Sequence, residues 1–315
     1  MAEQEKKPGG ESAVTVLVAL GANLLIAIAK TVASLISGSA SMLAEAAHSW
    51  ADTGNEVFLF IAGRRAEKPP TPRHPLGFGR DTYVWSMFAA VGLFTVGAAV
   101  SVLHGISELG VKGPAEDLLL NYLVLAVSFV LEAVSFARAF QQVRRSAGAA
   151  EQDLLDYALT TSDPTVRAVV FEDAAALVGI VIAAAGITLH EVTGNAIWDA
   201  MGSIAVGVVL GLTAIVLIQQ NRRFLIGEAV DPRVRASVLD LLLENDDVLG
   251  VTYLHLEYIG PGLVFLVAAV DLIEDAPEHE VAVRLRRLAE SLEQRPHVRR
   301  AILTLSVPGD PPAVP

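Results

Sequence analysis

Six tracts of this chain run for twenty or more residues with little charge, and polar segments separate them. A helix needs about 20 mostly apolar residues to cross the hydrocarbon core of a bilayer. The tracts cover roughly Ser12 to Ile36, Met42 to Ala62, Tyr83 to Leu109, Asp117 to Phe140, Thr165 to Leu189 and Ala196 to Gln219. In lipid every backbone polar group must be satisfied internally, so the expected class is an α-helical membrane protein with six transmembrane helices. Only 18% of the 315 residues are charged, against about 25% in a soluble domain.

The basic residues give an orientation. Lys6 and Lys7 precede the first tract, and Arg64, Arg65, Lys68, Arg73 and Arg80 follow the second. Arg138, Arg144, Arg145 and Arg167 flank the connection between the fourth and fifth tracts, and Arg222 and Arg223 follow the sixth. The alternate connections hold only Lys112. Basic residues stay on the cytoplasmic side, so both termini are expected there. The leader MAEQEKKPGGES lacks the layout of a signal peptide, so the first tract is expected to be retained.

After Arg223 the texture changes. An amphipathic helix, two strands around a Gly-Pro-Gly turn, a second helix and a third strand follow in the order αββαβ. This predicts a small C-terminal cytoplasmic α+β domain of the ferredoxin-like kind. The expected organisation is a polar leader over 1–11, a membrane domain over 12–225, the α+β domain over 226–308 and a disordered tail over 309–315. From Gly227 onward there are eight basic and fifteen acidic residues, a net charge of −7. The whole chain carries −12, which argues against a nucleic-acid partner. With no cysteine, thiolate metal sites and disulfides are excluded.

Inside the apolar tracts stand residues that lipid does not tolerate. AEAAHSWAD in the second tract carries Glu45, His48 and Asp52, and VVFEDAAALVG in the fifth carries Glu172 and Asp173. A charge at the bilayer centre costs about 2.5 to 3.5 kcal/mol on insertion scales. Such residues face the bundle interior and are offset by a cation, a proton or a fixed partner. His48 and Asp52, at i and i+4, share a helix face. With an acid from a second helix they can surround a divalent cation. The competing reading is that these acids pair with Lys30 or arginines and only hold helices together. Glu172 and Asp173 lie about 100° apart on a helix; Asp173 is the first choice as ligand and Glu172 the second. Glu45, a turn before His48, suits a position beside the site, and Asn23 could line the pathway. Asp199 reads as an N-terminal helix-dipole partner, and His104 and His190 as water-facing residues near helix ends.

The run NLLIAIAKTVASLISGSASMLAEAAHSWAD, followed by HPLGFGR, resembles the cation diffusion facilitator family. SGSASMLAEAAHSWAD, VFEDAAALVGIVIAA and GNAIWDAMGSIAVG resemble the branch of its mitochondrial zinc transporter, solute carrier family 30. The resemblance extends from about Ala19 to Val307. It implies six spanning helices, an ion site between the second and fifth, a ferredoxin-like domain that forms a homodimer, and no prosthetic group. Zn²⁺ would be the substrate and H⁺ the counter-ion. The implied metal ligands are His48, Asp52 and Asp173, joined by Glu172. The leader lacks an Arg-rich transit segment, so the expected location is a bacterial plasma membrane.

The departures are specific. The family's His in the fifth helix falls at Val169, which cannot ligate, and Glu172 is the substitute. In the loop, Thr71 and Phe78 stand where the family carries Asp and His, leaving His74 alone. In the C-terminal domain only His279 matches the family's metal pattern; Thr252 and Leu305 stand at others, and His255 and His297 fall off it. The expected activity is proton-coupled Zn²⁺ efflux. Mn²⁺, Fe²⁺ or Co²⁺ export on the same fold and a transport-dead sensor or scaffold are the alternatives. An intramembrane metalloenzyme would need an HExxH-type helix, and His48 is followed by Ser-Trp-Ala-Asp.

Overall fold

The computed structural model describes residues 13–110, 118–149 and 152–314. Helices α1 (Ala13–Ser37) and α2 (Ala40–Ala66) are joined by a turn in which Gly38 takes a left-handed φ of 63°. Helix α3 (Asp81–Gly92) continues through a π-helical stretch, Leu93–Ala99, into α4 (Val100–Glu108). Then come α5 (Leu118–Ala149), the short α6 (Leu154–Thr160), α7 (Pro164–Thr193) and α8 (Ile197–Ile226). Asp163 caps α7, accepting from the N–H groups of Thr165 and Val166, with Pro164 in the first turn. Gly194, at φ 67°, closes its other end.

Among the described residues, five helical segments are long and apolar enough to cross a membrane: Leu20–Ser37, Asp81–Glu108, Leu119–Gly148, Pro164–Thr193 and Ile197–Ile226. The α2 helix is 27 residues long, but Glu45, Asp52, Glu56, Arg64 and Arg65 dilute its apolar character. Its burial explains why it is not a lipid-facing rod. Ala40, Met42, Ala44, Glu45, His48 and Asn55 are all buried among neighbouring helices.

The chain divides into two compact units. One contains the described residues up to Arg64 and from Tyr83 to Arg222. Its interior mixes many alanines with larger apolar residues. Ala44, Ala51, Ala90, Ala98 and Ala175 pack with Val206 and Leu210, and Ala33, Met42, Leu125, Ile180 and Ile187 form a second cluster. Helices can then approach closely, as they do in lipid. A Cβ added at Gly207 would stand 2.9 Å from the carbonyl of Ala98, and one at Gly105 would stand 2.8 Å from that of Ala200. Large apolar side chains such as Leu25, Leu103, Leu119, Val192 and Leu212 point outward and are more than half exposed. That surface suits lipid and not water.

In the sequence Arg167 reads as a charge flanking the loop, yet it is fully buried. Its Nη1 donates to the carbonyl of Thr161 at 2.7 Å and its Nη2 to Asn221 Oδ1 at 2.7 Å. Asn221 in turn donates to Ser86 Oγ at 3.0 Å. The arginine thus joins α7, α8 and α3 instead of reaching solvent. His190, expected to face water, is likewise buried near the end of α7.

The second unit contains Arg65–Thr82 and Arg223–Pro315. Helix α9 (Pro232–Leu243) and helix α10 (Glu278–Glu293) accompany strands β1 (Val248–Gly260), β2 (Leu263–Leu272) and β3 (Val298–Leu305). The sheet order is β1-β2-β3, with β1 and β2 antiparallel and β2 and β3 parallel. The parallel pair needs a crossover, which α10 supplies. Leu239, Leu242, Val251, Leu254, Leu266 and Leu288 form the core. The loop 65–82 belongs to this unit. Gly79 and Gly260 meet so closely that a Cβ at Gly79 would stand 2.5 Å from the carbonyl of Ile259, and Arg80 pairs with Glu257. The tail expected to be disordered is tied down through residue 314. Ala313 N–H donates to the Val251 carbonyl at 2.7 Å, and Arg235 Nη2 donates to the carbonyl of Val314 at 3.0 Å.

Candidate cation site

Helix α2 carries the densest set of polar side chains in the helical unit. His48 Nε2 lies 3.2 Å from Asp52 Oδ2, and the two side chains are 1% and 17% exposed. The helical period produces this pairing: positions four apart stack along one face. Three residues past Asp52, Asn55 is buried and its Nδ2 donates to Glu172 Oε2 on α7. Asp173, the next residue on α7, accepts from the Ser135 hydroxyl on α5. The 100° step between adjacent helical residues sends Glu172 toward α2 and Asp173 toward α5. Asp52 lies within electrostatic reach of both.

Glu45 has a fixed partner. Lys30 Nζ on α1 donates to Glu45 Oε2 at 2.8 Å, and both side chains are fully buried. Gly179 on α7 makes room for the pair, since a Cβ there would stand 2.6 Å from Glu45 Oε1. Asn23 Nδ2 donates to Glu56 Oε1 at 2.7 Å, one turn beyond Asp52. Glu56 and Glu132 of α5 extend the acidic surroundings and interact with Asp173.

Asp199 places the helix that carries these groups. It stands in the first turn of α8 and receives the N-terminus of α2. Ala40 N–H donates to its Oδ2 at 2.6 Å, Ser41 N–H to its Oδ1 at 3.2 Å, and the Ser39 hydroxyl to Oδ1 at 2.9 Å. The carboxylate serves the dipole of α2, not that of its own helix. Close packing at Gly186 and Gly202 seats the Ser41 side chain, 3.1 and 2.4 Å from where their Cβ atoms would be.

Several polar atoms of this region are buried with no hydrogen-bond partner among the described residues: His48 Nδ1, Asp52 Oδ1, Asn55 Oδ1, Glu172 Oε1 and Asp173 Oδ2, and His48 Nε2 has only the close approach to Asp52, which is not a directed hydrogen bond. Buried polar atoms are normally satisfied. Carboxylate oxygens on both α2 and α7 are thus left unpaired among the described residues. No three His, Asp or Glu side chains among the described residues converge into a ready-made metal cage. The unpaired atoms are shared between α2 and α7. Sequence reasoning missed Asn55, Ser135 and Glu56. The spacing could have found Asn55, seven residues after His48 and three after Asp52 on the same face. Ser135 carried no such signal, because its partner lies on another helix.

Residues 16–226 match the cation efflux transmembrane domain. The chain belongs to the cation efflux family. It is accordingly an integral membrane protein. Among similar proteins is Metal tolerance protein C4 of Arabidopsis thaliana, 37% identical over 257 residues, covering 81% of this chain and 56% of that protein. Another is Proton-coupled zinc antiporter SLC30A9, mitochondrial, of Mus musculus, 36% identical over 256 residues, covering 81% of this chain and 45% of that protein. Zinc transporter ZitB of Escherichia coli is 30% identical over 89 residues, 28% of each chain. The chain thus spans about half the length of the first two relatives. Like the resemblance read from its motifs, the family match covers both acid-bearing helices.

Proposed function

We propose that this chain is a proton-coupled divalent cation exporter, with Zn²⁺ as its substrate and H⁺ as the counter-ion. The ion binds between α2 and α7 on His48, Asp52 and Asp173, with Glu172 supplying what Val169 cannot. The observation that carries this reading is the buried His48–Asp52 pair, 3.2 Å apart, beside α7 carboxylate oxygens that lack donors. One imidazole with carboxylates makes a site for a small divalent ion. The names of two relatives, a proton-coupled zinc antiporter and a zinc transporter, support zinc. A set with one nitrogen and otherwise oxygen donors is harder than the usual zinc site, which favours Mn²⁺, Fe²⁺ or Co²⁺ as the second reading.

The α2 helix is the sixth crossing in this reading. Its Glu45 charge is matched by Lys30, and its N-terminus by Asp199. Both termini then lie on the cytoplasmic side, with the C-terminal unit as a ferredoxin-like domain that pairs two copies. Ligands bind metal when deprotonated, so binding releases protons and acidification favours release. Rocking of helices around a mid-membrane site changes access. Glu45 and Asn23 act beside the site, holding Lys30 and Glu56.

The test is Zn²⁺ flux in proteoliposomes under a pH gradient. The wild-type chain is expected to carry zinc against the proton gradient, and Asp52→Ala and Asp173→Ala to abolish the flux. Undiminished transport in both variants would sink the site assignment. Zinc binding without flux would point to a sensor.

A further inference from the structure

We propose that Asn55 is a positioning residue of the cation site: its amide fixes the Glu172 carboxylate against α2 and leaves one carboxylate oxygen for the ion. This rests on the site proposed above.

Four observations carry it. Asn55 lies on the His48–Asp52 face of α2 and is 4% exposed. Its Nδ2 donates to Glu172 Oε2 on the opposite helix. Glu172 is 6% exposed, and its other oxygen, Oε1, has no partner among the described residues. Val169, one turn before Asp173 on α7, cannot ligate, so an oxygen from 172 or 173 must serve.

Residue chemistry explains why position 55 is an asparagine. An ionised carboxylate only accepts hydrogen bonds, and an amide NH₂ is the short neutral group that can donate to it. A lysine would donate but bring a competing positive charge. An aspartate would match the shape and repel. A glutamate side chain has more rotatable bonds than the histidine it replaces, so it loses more freedom when it binds an ion. Holding Oε2 in advance reduces that loss, because the remaining oxygen is already directed. Groups that orient ligands in this way typically contribute ten- to a hundredfold in metal affinity.

The experiment measures Zn²⁺ affinity of the full chain in detergent by competition with a chromophoric chelator, independently of transport. Asn55→Ala is expected to weaken binding about tenfold or more. Glu172→Ala is expected to weaken it at least as much, and the double variant no further than Glu172→Ala alone. Asn55→Asp keeps the shape, removes the donor, and is expected to bind at least as weakly as Asn55→Ala. It decides the matter if the alanine variant does not fold. Unchanged affinity in Asn55→Ala or Asn55→Asp would overturn the proposal, as would additive losses in the double variant. His48→Ala in the same assay separates the two levels of argument. If it binds Zn²⁺ normally, the site reading fails. If it loses Zn²⁺ while the Asn55 variants do not, only the positioning role fails.

Discussion

Lys30 and Glu45 show what a single pair of side chains costs and contributes inside an apolar bundle. Neither is exposed at all, and they meet at 2.8 Å. Desolvating two charges costs several kcal/mol per ion, and their attraction offsets it only when the geometry is good. Removing one partner leaves the other buried and unmatched. Lys30→Met is therefore expected to destabilise the protein by about 3–5 kcal/mol, read as a lower thermal unfolding midpoint in detergent. The double variant Lys30→Met/Glu45→Leu is expected to recover most of that loss. A double variant as unstable as the single one would show that the pair does more than neutralise itself. Glu45 is legible in the sequence as an acid out of place. Its pairing is less so, because Lys30 lies fifteen residues away on another helix.

At the scale of elements, α2 is held at its start by another helix. The Asp199 carboxylate accepts from two backbone N–H groups and one hydroxyl at the α2 N-terminus. Hydrogen bonds to a charged group contribute about 1.5–3 kcal/mol each. Asp199→Ala is expected to raise hydrogen exchange at residues 39–43 while exchange in β1 and β2 stays unchanged. Protection unaltered at 39–43 would mean that packing at Gly186 and Gly202 holds α2 alone. Helical periodicity made the long rods legible, and their ends are marked by Gly38, Pro164 and Gly194. Asp199 was legible only as a partner of a helix N-terminus. Which helix it serves depends on how α8 meets α2, and no local pattern encodes that. The π-helical stretch at Leu93–Ala99 was also invisible, because π and α turns share the same apolar residues.

At the scale of the molecule, the loop 65–82 joins the C-terminal unit although α2 and α3 flank it in sequence. Gly79 is the contact that permits this, with backbone where a side chain would go. Gly79→Ala is expected to release the loop, read as faster proteolysis between Arg65 and Arg80. Arg80→Ala is expected to cost under about 1 kcal/mol, since that pair is partly exposed. Equal protease resistance in Gly79→Ala and wild type would mean the contact is not needed. The sequence by itself determined the apolar rods, the αββαβ order and the acids on two helices, because periodicity, turn residues and the cost of charge in lipid act locally. Only the tertiary structure decided which charges are matched. It gave Lys30 to Glu45, Asp199 to α2 and Asn55 to Glu172, since a hydrogen bond across helices depends on packing geometry that neither chain of residues specifies alone.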